Sequence, residues 1–182
     1  MLIQKMNTIE LVNVMSKLVR NGQFLGVFPS DLLPRERCSV PLSLIVNTDP
    51  SNKPGQHWVA IHVFKDRTGY FFDSFGNPPD SNLFPASIMN FFKTNCTFVS
   101  SSARAVQSRT SDACGHHCVF FLYNVSRGRS YQCLMKMYSV NNEQNDRRAM
   151  RFVNCLKKSV RPYVTNVSCN QACSIFNNCF CE

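Results

Sequence analysis

The chain has 182 residues, of which 44% are hydrophobic, 17% are charged and 15 are Phe. A disordered chain carries more charge and fewer aromatic residues, so this composition indicates a folded protein with a single domain over residues 1–182. The sequence contains no apolar run of about 18 residues, which excludes a membrane span. Its first 22 residues lack the apolar core and cleavage site of a signal peptide, so we expect the protein not to be secreted.

Positive charge is concentrated in the second half of the chain. Residues 1–100 hold nine Lys or Arg against seven Asp or Glu, whereas residues 101–182 hold eleven against four. The net charge of +9 is therefore divided into +2 and +7. A basic half indicates a polyanionic partner such as nucleic acid, or simply a solvated basic surface, and both interpretations remain open.

The first half of the chain predicts one helix followed by strands. Apolar spacing predicts a helix over residues 8–20, and the proline-broken segment 24–34 predicts an extended loop. A short strand is predicted over residues 43–47. Two segments rich in β-forming residues, 57–64 and 69–75, predict a hairpin of buried strands.

The second half predicts mainly helices. The apolar run that begins at Cys114 and ends at Gly128 predicts a buried helix, because it follows a long polar loop and carries no polar face. The other predicted elements are a helix at 84–92, a strand at 96–99 and helices at 130–138 and 143–158. The chain is therefore predicted to be an α+β protein with a central mixed β-sheet flanked by helices.

Four residues carry the types of side chain that nucleophilic catalysis requires. Cys114 opens a predicted helix, where the helix dipole favours the thiolate that acts as nucleophile. His57 begins a strand and is a candidate general base. Asp73 lies in an aromatic strand, where a carboxylate needs a partner, and His57 on the neighbouring strand is a suitable one. Gln107 is a candidate donor to an oxyanion, together with the backbone N–H of Cys114.

Each of these four residues also has a purely structural interpretation. A cysteine in a helix is commonly a buried apolar residue, and a strand histidine is commonly structural. The aspartate is also suited to capping a backbone N–H in a turn, and a loop glutamine is ordinary. Only their combination, in the order His, Asp, Gln, Cys, favours catalysis.

The local sequences around these residues resemble those of the adenovirus protease family. The segments HWVAI, FDSFG and DACGHHCVFFL carry the resemblance. The segments GVFPSDLLP and IVNTDPSNKPGQHWVAI are similar to the branch found in polinton (Maverick) elements, virophages and adenovirus-like viruses. The resemblance extends from about residue 20 to about residue 160. It implies a papain-like cysteine protease core with a permuted His-Asp-Gln-Cys order.

The resemblance also implies a role for each matching residue. His57 would be the general base, Asp73 the acid that orients it, Gln107 the oxyanion donor and Cys114 the nucleophile. Asp73 stands where the adenovirus enzymes carry Glu, which is a departure from the family pattern. Cys118 matches a second, non-catalytic family cysteine.

The implied activity is that of a viral or transposon-encoded cysteine endopeptidase that matures capsid precursors by cleavage near Gly. We expect a monomer in the virion and in the host nucleus or cytoplasm, with no membrane partner, no metal and no cofactor required for the chemistry. The family uses a short basic peptide and DNA as activators. Cys96 stands eleven residues before Gln107, which matches the family cysteine that forms a disulfide with the activating peptide.

The segment 163–182 is a Cys-rich tail with four cysteines: Cys169, Cys173, Cys179 and Cys181. Their spacing differs from the paired spacing of structural zinc sites, so a zinc site is only an alternative. The family peptide ends in Cys-Phe, and this sequence has Cys179-Phe180 two residues before its last position. One hypothesis is that the tail adds a strand to the sheet and links Cys179 to Cys96.

Two other functions remain open from the sequence. A deconjugase of ubiquitin-like modifiers would use the same His, Asp, Gln, Cys order. An inactive basic module that binds nucleic acid would use the charge of the second half and the Cys-rich tail. Filled catalytic positions argue against the inactive module.

Overall fold

The computed structural model describes residues 5–19 and 23–158. This part of the chain forms five strands, five α-helices and one short 3₁₀ helix at Ser30–Leu32. The α-helices are α1 (Thr8–Leu18), α2 (Ala86–Asn95), α3 (Cys114–Val125), α4 (Tyr131–Met137) and α5 (Asn142–Lys158). The strands are β1 (Phe24–Pro29), β2 (Leu42–Asn47), β3 (Trp58–Val63), β4 (Thr68–Phe72) and β5 (Phe98–Ser101).

The strands form one mixed sheet in the order β1-β2-β3-β4-β5. The central strand β3 is antiparallel to both β2 and β4, while β1 is parallel to β2 and β5 is parallel to β4. In the central hairpin, Ala60 pairs with Phe72. This register brings the start of β3 and the end of β4 to the same edge of the sheet, where the catalytic candidates His57 and Asp73 flank those strands.

Helices cover both faces of the sheet, which explains why its central strands are almost continuously apolar. Side chains of β3 alternate between the two cores: Ala60 packs with α1, α3, α4 and α5, while Val59 and Ile61 pack with α2. Each residue of α3 is buried. A helix that is apolar on all sides is stable only when it is enclosed, and α3 is enclosed between the sheet, α1 and α5.

Most predicted elements are confirmed, including the α+β class, the central hairpin and the buried helix at Cys114. One prediction is wrong, because the segment 24–34 does not form an extended loop throughout. Its first part is β1, an edge strand with a register shift at Gly26, whose φ is +142°. A bulge and a terminal proline are features of edge strands, and they conceal the regular alternation that identifies a strand from sequence.

Two further observations concern membrane-spanning helices and the Cys-rich tail. Among residues 5–19 and 23–158, no helix has the length and apolarity that crossing a membrane requires. The Cys-rich tail, residues 163–182, lies outside the described residues, and so does the predicted contact of Cys179 with Cys96.

Candidate active site

His57 and Asp73 form a hydrogen-bonded pair at the edge of the central hairpin. His57 immediately precedes β3 and Asp73 immediately follows β4, so the antiparallel register brings them together. Nε2 of His57 lies 2.6 Å from Oδ1 of Asp73. The Asp73 side chain is fully buried, while the His57 side chain keeps 17% of its surface exposed. Asp73 thus holds the His57 ring on its buried side, and the rest of the ring remains partly accessible to solvent.

The turn after β4 satisfies the rest of the Asp73 carboxylate. Oδ1 also accepts from the backbone N–H of Phe75 at 3.2 Å, and Oδ2 accepts from the backbone N–H of Asn77 at 3.0 Å and its Nδ2 at 2.8 Å. Burial alone would raise the pKa of Asp73, but the hydrogen bonds from His57, Asn77 and Phe75 outweigh it and hold this pKa below its usual value. The carboxylate therefore stays ionised beside the ring.

Cys114 is the first residue of α3 and interacts with His57. Its surface is only 3% exposed, and its interaction with the His57 ring helps to raise the pKa of that ring. Because Nε2 of that ring faces Asp73, the nitrogen left for the sulfur is Nδ1. The position of Cys114 at the helix N-terminus also places its own N–H among those that have no acceptor within the helix.

The surroundings of His57 favour its protonated form. Burial lowers the pKa of His57, but the interactions with Asp73 and Cys114 outweigh this effect and raise the pKa to about 9. The Phe75 ring packs against the imidazole, with ring centroids 5.1 Å apart and planes tilted by 34°. At neutral pH the ring is therefore an imidazolium next to the Cys114 side chain.

Gln107 is buried in the loop that leads into α3. Its Oε1 accepts from Ser74 Oγ at 2.6 Å, and its Nε2 donates to the Ser111 carbonyl at 2.6 Å. Ser74 follows Asp73, and Ser111 lies three residues before Cys114, so Gln107 connects the two sides of the site. Nε2 carries two hydrogens, and the Ser111 carbonyl accepts one of them.

The segment before α1 forms one wall of the site. The indole N–H of Trp58 donates to the Met6 carbonyl at 3.0 Å, and Lys5 Nζ donates to the Gly55 carbonyl at 2.7 Å. A Cβ atom on Gly115 would lie 3.0 Å from Cβ of Met6. Glycine at this position therefore allows the N-terminal segment to pack directly over the start of α3.

The two other cysteines singled out from the sequence lie away from the reacting atoms. Cys118 is fully buried and its Sγ donates to the Trp58 carbonyl at 3.3 Å, and burial raises its pKa well above the usual value. Cys96 packs with the α2 core on the opposite face of the sheet from α3. Burial raises the pKa of Cys96 to about 11, so its thiol is protonated at neutral pH. Its disulfide with an activating peptide stays a prediction.

The structure thus brings His57, Asp73 and Cys114 together and ties Gln107 to the same site, while Cys96 lies elsewhere. Sequence analysis missed Ser74 and Asn77, which hold Gln107 and Asp73. Asn77 was detectable, since an Asp that accepts from backbone N–H groups two and four residues later is a known turn pattern. Within the described part of the chain, no group of three or more His, Cys, Asp or Glu side chains is arranged to hold a metal ion.

Comparisons with known proteins show to which family the chain is similar. The sequence model of the adenovirus endoprotease family matches residues 24–138. The protease of Bovine adenovirus 4 is 32% identical in an alignment of 126 residues, and the match covers 63% of this chain and 62% of that protein. The protease of Ovine adenovirus D serotype 7 is 30% identical over 125 residues, with the same two coverages. The match therefore spans less than two thirds of these relatives' length.

A solved structure was also compared with the chain. The crystal structure of an ASFV protease aligns with a TM-score of 0.38 and 23% identity, covering 59% of this chain and 42% of that one. The family model, by contrast, covers more than half of the sequence and includes the positions of His57, Asp73, Gln107 and Cys114. The chain belongs to the adenovirus endoprotease family.

Proposed function

We propose that the protein is a cysteine endopeptidase in which Cys114 is the nucleophile, His57 the general acid and base, Asp73 the residue that orients His57, and Gln107 an oxyanion donor. The observation that carries this proposal is the hydrogen bond of 2.6 Å between His57 and the buried Asp73 carboxylate. The Cys114 side chain at the start of α3 interacts with the same His57 ring and contributes to its raised pKa. This is the arrangement that activates a thiol for attack on a carbonyl carbon.

The chemistry follows from these positions. The Cys114 thiolate attacks the carbonyl carbon of the scissile peptide, and the developing oxyanion accepts from Gln107 Nε2 and from the Cys114 backbone N–H. The C–N bond breaks as His57 gives its proton to the leaving amine, which leaves a thioester on Cys114. His57, now neutral, takes a proton from a water molecule that attacks the thioester. Release of the acid restores the thiolate and the imidazolium.

The substrates we propose are capsid precursor proteins of a virus or virus-like element, cleaved near Gly residues. Membership of the adenovirus endoprotease family supports this choice, as does similarity to proteins named protease in several adenoviruses. We propose that the enzyme acts in the infected cell and in the virion. We also propose that a short activating peptide and DNA bind the enzyme and raise its activity.

The test is a cleavage assay combined with thiol labelling. Wild-type protein should cleave a fluorogenic peptide with Gly at both sides of the scissile bond, and iodoacetamide at pH 6 should label Cys114 first, because an ordinary thiol is protonated at that pH. Cys114→Ala should abolish both signals. Cys133→Ser is the control, because Cys133 is a free, exposed thiol on α4. Normal cleavage by Cys114→Ala would overturn the proposal.

Substrate class is tested separately. Purified capsid precursor and a ubiquitin-like fusion protein are offered to the same enzyme, and products are identified by mass spectrometry. Cleavage of the precursor next to Gly supports the proposal. Exclusive cleavage of the fusion protein would identify a deconjugase instead.

A further inference from the structure

The first turns of α5 hold the loop that carries Gln107. Asn142 Nδ2 donates to the Gln107 carbonyl at 3.1 Å, and Asn145 Nδ2 donates to the Val106 carbonyl at 3.1 Å. The backbone N–H of Ser108 donates to Oδ2 of Asp146 at 3.2 Å. Three consecutive loop residues are therefore each bound by a different side chain of the same helix. These contacts fix the loop backbone on both sides of the Gln107 side chain.

Asp146 also binds the helix that carries Cys114. Its Oδ1 lies 2.8 Å from Nε2 of His117, which follows Cys114 by three residues on α3. Both side chains are almost completely inaccessible, with 0% exposure for His117 and 1% for Asp146. Burial lowers the pKa of His117 despite the neighbouring carboxylate. The ring is therefore neutral at pH 7, and its Nε2–H donates to Asp146.

The Asp146 carboxylate thus links α3, which carries Cys114, to the loop that carries Gln107. These are the two elements that would form the oxyanion site. The first oxygen of the carboxylate binds α3 close to Cys114, and its second binds the residue next to Gln107. A buried carboxylate is costly unless its oxygens are satisfied, and here each oxygen accepts from a different element. Apolar packing alone would enclose α3, but apolar contacts have no preferred direction. Hydrogen bonds have preferred distances and angles, so the two bonds to Asp146 restrict the separation between α3 and the loop.

We propose that Asp146, through His117 and Ser108, is a positioning residue that sets the distance between Cys114 and Gln107 and so shapes the oxyanion site. Asn142 and Asn145 support the same loop. This inference rests on the proposed function. It extends the active site to α5, which lies beyond residues 24–138, the part of the chain that matches the family model.

The test uses Asp146→Asn, which keeps the shape of the side chain. An amide has one acceptor oxygen, so when that oxygen keeps the Ser108 N–H, its NH₂ group faces Nε2 of His117, and the link to α3 is lost or has to be rebuilt with the other ring tautomer. We expect kcat to fall about 10–100-fold with KM within about twofold, because misplaced catalytic groups impair the transition state more than substrate binding. Circular dichroism and thermal unfolding confirm that the variant is folded.

A pair of inhibitors separates positioning from general damage. A peptide ending in glycinal forms a hemithioacetal with Cys114, whose oxygen occupies the oxyanion site, so its affinity should fall in parallel with kcat. Iodoacetamide alkylates Cys114 by displacing iodide and forms no oxyanion, so its rate should stay within about twofold of wild type. A merely structural defect would change both readouts together.

Control and fallback variants complete the design. Glu143→Gln makes the same acid-to-amide change on the exposed side of α5, where Glu143 only pairs with Arg147 at 3.8 Å, and it should leave both inhibitors unaffected. If Asp146→Asn does not fold, Asn142→Ala removes one half-buried contact to the Gln107 carbonyl and should lower kcat and glycinal affinity several-fold, again without changing alkylation.

The outcomes distinguish this inference from the proposed function. Wild-type kcat and glycinal affinity in folded Asp146→Asn, or in Asn142→Ala where the first variant is unfolded, would overturn the positioning role while the protease assignment stands. Equal losses in glycinal affinity and alkylation rate would also overturn it. Absence of peptide cleavage and of Cys114 labelling in the wild-type protein would overturn the proposed function instead.

Discussion

The side-chain amide of Asn77 donates to Oδ2 of Asp73 at 2.8 Å, while Oδ1 of the same carboxylate faces His57. The turn that follows β4 therefore fixes the acid member of the site before any substrate is present. Because the carboxylate is held and ionised, it can favour the imidazolium form of His57. That electrostatic effect is accessible to measurement through the pH dependence of activity.

Replacing Asp73 with Asn should move the basic limit of activity to lower pH. The pKa of His57, about 9 in the parent, marks the pH above which the imidazolium is lost and the leaving amine receives no proton. Without the carboxylate charge, this pKa should fall by about 1–3 units, and the basic limb of kcat/KM should follow. Asp73→Ala should likewise retain partial activity, because Asp73 orients the base and takes no part in bond making.

The control for this prediction is Asp80→Asn, an exposed acid in the loop after the same strand. Its pH profile should match the parent. A basic limb that stays at the same pH in Asp73→Asn would contradict the electrostatic role.

Replacing Gln107 with Ala should lower kcat about 10²–10³-fold and leave KM nearly unchanged, because an oxyanion donor acts in the transition state. Steady-state kinetics with the fluorogenic peptide measures both constants. Gln132→Ala, an exposed glutamine on α4, is the matched control. A rise in KM with constant kcat would show that Gln107 binds substrate and does not stabilise the oxyanion.

Acid should destabilise the fold through His62. This ring is 3% exposed, its Nδ1 lies 2.8 Å from Ser43 Oγ, and burial lowers its pKa to about 4. The unfolded chain takes up this proton below about pH 6.5, but the folded chain does so only near pH 4. The contribution to the free energy of unfolding is therefore complete above pH 6.5 and lost as the pH falls through 4, by up to roughly 3 kcal/mol.

Urea unfolding at pH 7 and pH 4.5 measures this loss. His62→Asn should show a smaller difference between the two pH values than the parent. The buried ring of His116, whose pKa burial also lowers to about 4, should account for part of the remaining difference. An identical pH dependence in parent and variant would refute the assignment to His62.

DNA binding remains a prediction from charge. The candidate phosphate-binding residues are Lys and Arg side chains in the second half of the chain. Among them, Arg104 donates to the Tyr138 and Ser139 carbonyls, Arg127 lies over the Tyr123 ring, and Lys157 pairs with Glu10. The other candidates are Arg109, Arg129, Arg147, Arg148 and Lys158. If the basic half binds phosphates, affinity should fall steeply with salt concentration, because binding releases counterions.

Fluorescence anisotropy with a labelled duplex at several salt concentrations tests this prediction. Arg109→Gln, in the exposed loop before α3, should reduce the slope of log K against log salt by about one. Lys93→Gln on α2 changes the same charge in the less basic half and should not. Binding that is independent of salt would contradict the electrostatic account.

Short-range sequence patterns were sufficient for much of the fold and for the centre of the site. The central hairpin was predictable because β-forming residues on both strands flank a compact turn. His57 and Asp73 follow from that hairpin, since its antiparallel register brings one strand start to the other strand end. Cys114 was identifiable because a polar loop changes abruptly to an apolar helix at that residue.

The contacts of α5 were not predictable in the same way. Asn142, Asn145 and Asp146 bind loop residues that lie 35 to 39 positions earlier in the chain. On a helix rich in charged residues, such side chains look like part of the solvent-facing surface. Only the packing of α5 against α3 shows that this polar edge is buried and bonded. Likewise, β1 was missed because its pairing with β2, and not its own alternation, makes it a strand.

The burial of α3 on all sides has a consequence for the timing of activity during synthesis. The Cys114 helix is synthesised before α5, so a nascent chain that has reached α4 contains a complete set of candidate catalytic residues without the helix that encloses them. We expect this intermediate to lack proteolytic activity, because neither α3 nor the loop at Gln107 has its final support. Under the proposed function, we therefore expect no cleavage of neighbouring nascent proteins until synthesis has passed α5, without any separate inhibitor.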